Sequence, residues 1–109
     1  MGIVFYRTAA MASVLAFYTE RVGCRVHLDQ PDCTVLDHGG FRVGFCAGDE
    51  PEIGGTLTFV HPHRDGVDAA YDRLADCADD PPRENERYRI YQFFATDPEG
   101  RTVEVQTFE

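Results

Sequence analysis

Asp97-Pro98-Glu99-Gly100-Arg101-Thr102-Val103-Glu104-Val105-Gln106 decides the fold when set beside Asp37-His38-Gly39-Gly40-Phe41-Arg42-Val43-Gly44-Phe45-Cys46. Each stretch opens on a tight turn and runs on into a strand. Pro98 sets φ at the first central position of its turn, and Gly100 accepts a left-handed backbone. Upstream of each turn lies another strand-like run, Tyr88 to Thr96 in one case and Cys33 to Leu36 in the other. The chain therefore holds two copies of one hairpin.

Working outward, the helices repeat as well. Met11, Val14, Leu15, Tyr18 and Val22 form one apolar helical face, closed by Gly23. Val67, Ala70, Tyr71, Leu74 and Ala78 repeat the template, with Asp65 placed to cap the second helix. A short strand precedes each helix, Ile3 to Arg7 and Thr56 to Val60. Cys24 to Asp29 reads as one more strand, and Asp79 to Arg83 as a polar loop. A repeat that shares both a helix face and a turn implies duplication of one unit. The expected class is α+β: two βαβββ modules forming an open, partly closed mixed β-barrel around a cleft. Module 1 covers about residues 1–47, a linker 48–54, and module 2 about residues 55–109 of a single domain.

Composition narrows the function. Nineteen acidic residues against ten basic ones give a net charge of -9, and every base is arginine. So acidic a surface repels phosphate backbones and anionic membranes, which excludes nucleic acid and membrane as main partners. It also resembles the surfaces of proteins from cells with high internal salt. The four cysteines, Cys24, Cys33, Cys46 and Cys77, form no CxxC pair, so no structural zinc site is expected. The first residues show no basic run followed by a long apolar one. These features lead us to expect a cytoplasmic protein with reduced thiols acting as small core filler.

With the repeat in place, the chain resembles the vicinal oxygen chelate superfamily of glyoxalase I, extradiol dioxygenases and bleomycin-resistance proteins. The resemblance rests on Ser13-Val14-Leu15-Ala16-Phe17-Tyr18, on the Asp97-to-Glu104 hairpin and on the duplication. It implies that metal-bearing members place one ligand on the first and last strand of each module. Those positions fall on Ile3, Gly44, Thr56 (or Thr58, two residues on) and Glu104. Only Glu104 is a competent ligand for a transition metal, so neither metal nor other cofactor is expected.

Strand alternation suggests what lines the cleft. Phe94 opposes Glu104 and Gln92 opposes Gln106, while Phe93, Ala95, Val103 and Val105 share the apolar face. In the first half Val35, Val43 and Phe45 are expected in the core, with Thr34, Gly44 and Arg42 on the cleft side and His27 opposite Thr34. Phe5 and Arg7 join them from the first strand. The expected ligand-binding set is Phe5, Arg7, His27, Thr34, Arg42, Thr56, Thr58, Gln92, Phe94 and Gln106. Glu104 is the candidate catalytic base, or else the partner of a structural ion pair with Arg7, or with Arg42. His61-Pro62-His63 reads as a solvated loop.

Three functions fit. The first is a metal-free small-molecule binding protein of the bleomycin-resistance and glyoxalase-like type. The second is a lyase, isomerase or dioxygenase acting on a small oxygenated substrate with Glu104 as base or metal ligand. The third is an interaction module whose cleft has degenerated. A homodimer is expected, because the chain is small and two-module relatives pair.

Overall fold

The computed structural model covers residues 1–109. Alternating apolar residues and glycine-bearing turns produce the same element order twice. In the first half, β1 (Val4–Thr8) leads to α1 (Met11–Ala16), which continues as a π-helical segment over Phe17–Val22. Then come β2 (Arg25–Gln30), β3 (Cys33–His38) and β4 (Phe41–Ala47). The second half has β5 (Thr56–Val60), α2 (Arg64–Leu74), a 3-10 turn over Ala75–Cys77, β6 (Arg83–Asn85), β7 (Ile90–Thr96) and β8 (Thr102–Phe108). This is the expected α+β pair of βαβββ modules. Strand β6 reaches beyond the stretch read as a polar loop. Arg83-Glu84-Asn85 has no apolar alternation, and only pairing with β7 makes it a strand.

Each module forms one four-stranded mixed sheet, ordered β1-β4-β3-β2 and β5-β8-β7-β6. The first strand of a module runs parallel to its last, and the other pairs are antiparallel. No strand of one sheet pairs with the other, so the sheets stay open. Gly23 ends the first helix in a left-handed conformation (φ 100°), and its N–H donates to the Tyr18 carbonyl at 3.1 Å. The cap of α2 is His63 rather than Asp65. Asp65 lies in the first turn, where the dipole favours an acid, and no side chain caps the helix. The helices also correspond one turn away from the expected alignment, Val14 matching Val67 and Tyr18 matching Tyr71. An i, i+3, i+4, i+7 template looks much the same after a three-residue shift.

The core faces of both sheets and both helices meet in one cluster. Tyr18 sits at its centre, 5.1 Å from the Phe45 ring of the first sheet and 6.0 Å from the Phe59 ring of the second. Burying side chains of this size contributes about 1.5–3 kcal/mol each. The Tyr18 hydroxyl donates to Asp97 Oδ2 at 2.8 Å. Burial, with the Asp97 charge beside it, pushes this phenol up.

The Asp97–Gly100 turn also clamps the modules together. Asp97 Oδ1 accepts the backbone N–H groups of Glu99 and Arg101, each at 2.9 Å. Arg101 is 1% exposed. It meets Asp97 at 3.1 Å and Glu99 at 2.9 Å, and donates to the carbonyls of Arg7 and Glu52, both at 2.8 Å. Glu99 in turn accepts the Thr8 hydroxyl and the Ala9 N–H. Burial pushes Glu99 up, but those hydrogen bonds and Arg101 outweigh it and hold it below its ordinary value.

The expectation of four reduced, core-filling cysteines fails at two of them. Cys33 and Cys46 are directly opposed across β3 and β4 and form a disulfide. Cys24 is buried, and its thiol is pushed up to about 12 by burial and by the Asp37 charge. No helix is long and apolar enough to cross a membrane.

Candidate functional site

Each sheet has one face in the core and one face open. On the second sheet the hairpin register is as expected: Phe94 opposes Glu104, Gln92 opposes Gln106, and Phe93, Val103 and Val105 turn inward. Strand β5 adds Thr58 beside Glu104 and Thr56 beside Thr102. These placements produce a chain of polar contacts with one member on each strand. Asn85 Nδ2 donates to Gln92 Oε1 at 2.9 Å, Gln92 Nε2 donates to Glu104 Oε2, and the Thr58 hydroxyl donates to Glu104 Oε1 at 2.9 Å. Around it lies a concavity of about 520 Å³, lined by Tyr88, Ile90, Phe94 and Phe108 together with Asn85, Gln92, Glu104 and Gln106. A few convergent polar groups on an apolar wall suit a small organic ligand.

The open face of the first sheet is different. Phe5 pairs with Gly44, and its ring lies on that glycine. A Cβ at residue 44 would stand 2.3 Å from Phe5 Cε1. Val35, opposite Gly44, and Leu28, opposite Val35, extend this apolar row. Val35 is therefore buried under the open face and stands outside the main core, contrary to its expected place beside Val43 and Phe45. Residues directly opposite in a ladder share a face, so Val35 must follow Gly44. By the same rule Thr34 follows Phe45 to the core side, where its hydroxyl donates to Asp29 Oδ1 at 2.9 Å. Thr34 thus leaves the expected ligand set. His27 sits at a bulge between Val26 and Leu28, exposed and with no cross-strand partner, so it does not oppose Thr34.

Neither expected ion pair to Glu104 forms. Arg42 Nε meets Asp37 Oδ1 at 3.3 Å, and its Nη1 is buried without a partner. The Arg7 side chain lies against Gly48 and borders the 48–52 loop. Both arginines belong to the open face of the first sheet, while Glu104 belongs to that of the second. No concavity is lined by both faces. The residues brought together are Thr58, Gln92, Phe94, Glu104 and Gln106, to which the structure adds Asn85, Tyr88, Ile90 and Phe108. Asn85 escaped the sequence reading because it lies on β6, which carries no strand signal, whereas Tyr88, Ile90 and Phe108 share the alternation of Gln92, Phe94, Glu104 and Gln106 and could have been read from it.

No family model and no curated protein matches the sequence. Solved structures do. A glyoxalase/bleomycin resistance protein/dioxygenase family enzyme from Burkholderia phytofirmans superposes with a TM-score of 0.81 at 21% identity, over 98% of this chain and 97% of that one. This chain has the glyoxalase/bleomycin-resistance/dioxygenase fold. A lactoylglutathione lyase from Agrobacterium tumefaciens matches at TM-score 0.76 and 17% identity, over 98% and 92% of the two chains. An integron cassette protein from the Halifax Harbour sewage outfall metagenome matches at 0.80 and 17%, over 99% and 97%. At these identities the likeness speaks for the fold alone.

Within the glyoxalase-like fold the register corrects the ligand positions. The residue facing Gly44 is Phe5 rather than Ile3, which precedes β1, and the residue facing Glu104 is Thr58, the expected alternative to Thr56. The four positions thus carry Phe5, Gly44, Thr58 and Glu104. This donor set does not fit a transition metal: one carboxylate, one hydroxyl and two residues without a donor side chain. Nowhere do three or more His, Cys, Asp or Glu side chains converge in metal-binding geometry.

His61 departs from its expected place in a solvated loop. It is half-buried, with its ring 5.1 Å from His38, whose own ring lies 5.2 Å from Phe59. Gly66 permits this approach, since a Cβ there would meet His61 Nδ1 at 2.5 Å. His61 Nε2 is buried without a hydrogen-bond partner. Burial lowers both histidines, and His61 is lowered further by His38 and Arg73. The pair joins the β3–β4 turn of one module to the end of β5 in the other, away from the concavity.

Proposed function

We propose that this chain is a metal-free small-molecule binding protein whose ligand lies on the open face of the second sheet, against Thr58, Gln92, Phe94, Glu104 and Gln106. The observation that carries this reading is the Phe5 ring lying on Gly44. An aromatic ring fills the space beside a position with no side chain, where a metal-bearing relative needs two donors. Glu104 is already tied by Thr58 and Gln92. The glyoxalase and dioxygenase names of the matched structures keep an enzymatic reading in view, in which Glu104 acts as base for a lyase, isomerase or dioxygenase. Each Glu104 oxygen accepts one of these hydrogen bonds and keeps a further lone pair for a ligand or a proton.

Metal analysis of the purified protein, joined to NMR screening of small molecules against Glu104 and Gln92, tests the proposal. Stoichiometric zinc, nickel or iron lost on Glu104→Gln would overturn it. The sequence-based expectation of a homodimer belongs to the same proposal. Phe5 and Leu28 are 50% and 45% exposed, an apolar strip that a second copy would cover. Sedimentation as a monomer at micromolar concentration in high salt would remove that part. A cytoplasmic setting is also retained, with the Cys33–Cys46 bond as the feature that argues against it.

A further inference from the structure

We infer that the ligand held on the second sheet carries a positive charge next to an apolar or aromatic body, an ammonium or amidinium group set against Glu104. This deepens the binding reading proposed above and rests on it. The first observation is what surrounds Glu104. Its two oxygens receive one hydroxyl and one carboxamide, both neutral, and no arginine reaches it. The other half-buried or buried carboxylates in cross-strand or turn positions, Asp37, Asp97 and Glu99, each have an arginine. The arginine sharing this face by register, Arg83, points outward to Asp80 at 3.7 Å. Glu104 is thus a carboxylate held in place by neutral donors with its charge left uncompensated. Each oxygen retains an acceptor lone pair, to which a cationic N–H donor would add a charge-assisted hydrogen bond.

The second observation is what stands around that charge. Phe94 lies directly opposite Glu104, and Tyr88 and Phe108 line the same concavity. All three rings are more than a third exposed. Aromatic faces attract ammonium and guanidinium groups through their quadrupole, and they also accept an apolar ligand body. The third is the field of the whole chain. A net charge of -9 raises the local concentration of cations and repels an anionic ligand from a face whose only fixed charge near the centre is another carboxylate. Anionic and cationic ligands would meet opposite electrostatics here, so charge is the property this site selects.

Three probes of one shape isolate that property: 2-phenylethylamine, 2-phenylethanol and 3-phenylpropanoate. Each is titrated into the full-length protein at neutral pH and low ionic strength, followed by chemical shifts of the Phe94 and Glu104 backbone amides and of the Gln92 side-chain amide. The amine is expected to bind at least about tenfold more tightly than the alcohol, the effect of one hydrogen bond to a charged group. The carboxylate is expected to bind most weakly of the three. In Glu104→Gln the amine-to-alcohol ratio should fall to near one. Should that variant fail to fold, loss of the amine's advantage in 0.5 M salt serves as the second reading. If the carboxylate or the alcohol binds as well as the amine, the charge assignment is wrong while the binding reading stands. If all three leave these resonances unmoved, both are overturned.

Discussion

Replacing Arg101 by methionine tests the clamp between the modules. The substitution keeps an unbranched apolar stem against the Tyr6 and Phe45 rings, whose centroids lie 5.5 and 5.2 Å from the guanidinium carbon. It removes the ion pairs to Asp97 and Glu99 and the hydrogen bonds to the carbonyls of Arg7 and Glu52. Asp97, 4% exposed, would keep its Tyr18 and backbone donors but lose its cation. Breaking one partner out of a buried ion pair costs about 3–5 kcal/mol. Against a total stability of about 5–15 kcal/mol that is a large share, and it predicts a fall in Tm of more than about 10 °C. Urea unfolding followed by circular dichroism gives the number. The double variant Arg101→Met/Asp97→Asn should be less damaged than the sum of the two single changes, by about 1 kcal/mol or more. A loss below about 1 kcal/mol for Arg101→Met, with an unchanged urea slope, would falsify the clamp.

Four further outcomes are expected. His38 and His61 are lowered by burial from an ordinary 6.5. Their contribution to stability is therefore complete above that value and is lost as pH falls below it, because the unfolded chain takes up protons first. NMR titration of both imidazoles should give midpoints under 6.5, and midpoints at or above it would contradict the burial argument. Reduction of Cys33–Cys46, which spans 13 residues, should cost up to about 3 kcal/mol. Iodoacetamide should label those two thiols only after reductant and leave Cys24 untouched in the native state; full labelling without reductant would show the bond absent. Gly44→Ala must displace the Phe5 ring and should cost about 1–3 kcal/mol, relieved in Phe5→Ala/Gly44→Ala; a neutral single variant would remove the ring-on-glycine contact. Finally, at a net charge of -9, Tm should rise between 0.1 and 1 M salt as the Debye length falls from about 10 to about 3 Å. A flat response would leave the acidic surface without a role in stability.

How far a sequence can be read here depends on how locally each contact is specified. The duplicated βαβββ order and the β7–β8 pairing were legible, because the Asp97-Pro98-Glu99-Gly100 turn pins the register and the period-2 alternation then assigns every face. Phe94 opposite Glu104 and Gln92 opposite Gln106 follow from those residues alone. The first sheet was less legible. Val35 and Leu36 are adjacent and both buried, so alternation cannot say which one faces the core. The cover over Val35 comes from the Phe5–Gly44–Leu28 row, and the bulge at His27 breaks the phase of β2. The contacts of Arg101 and the edge-on contact of His38 with His61 were not legible at all. In the sequence Arg101 is a polar residue after a turn, and His61 opens a polar loop. Only the docking of one module on the other, through long-range packing that local spacing does not encode, buries Arg101 against Tyr6 and Phe45 and sets His61 on His38. Local periodicity and turn chemistry therefore determine the modules and one open face, while the joint between modules and the separation of Glu104 from the arginines of the first sheet exist only once the two cores merge into one.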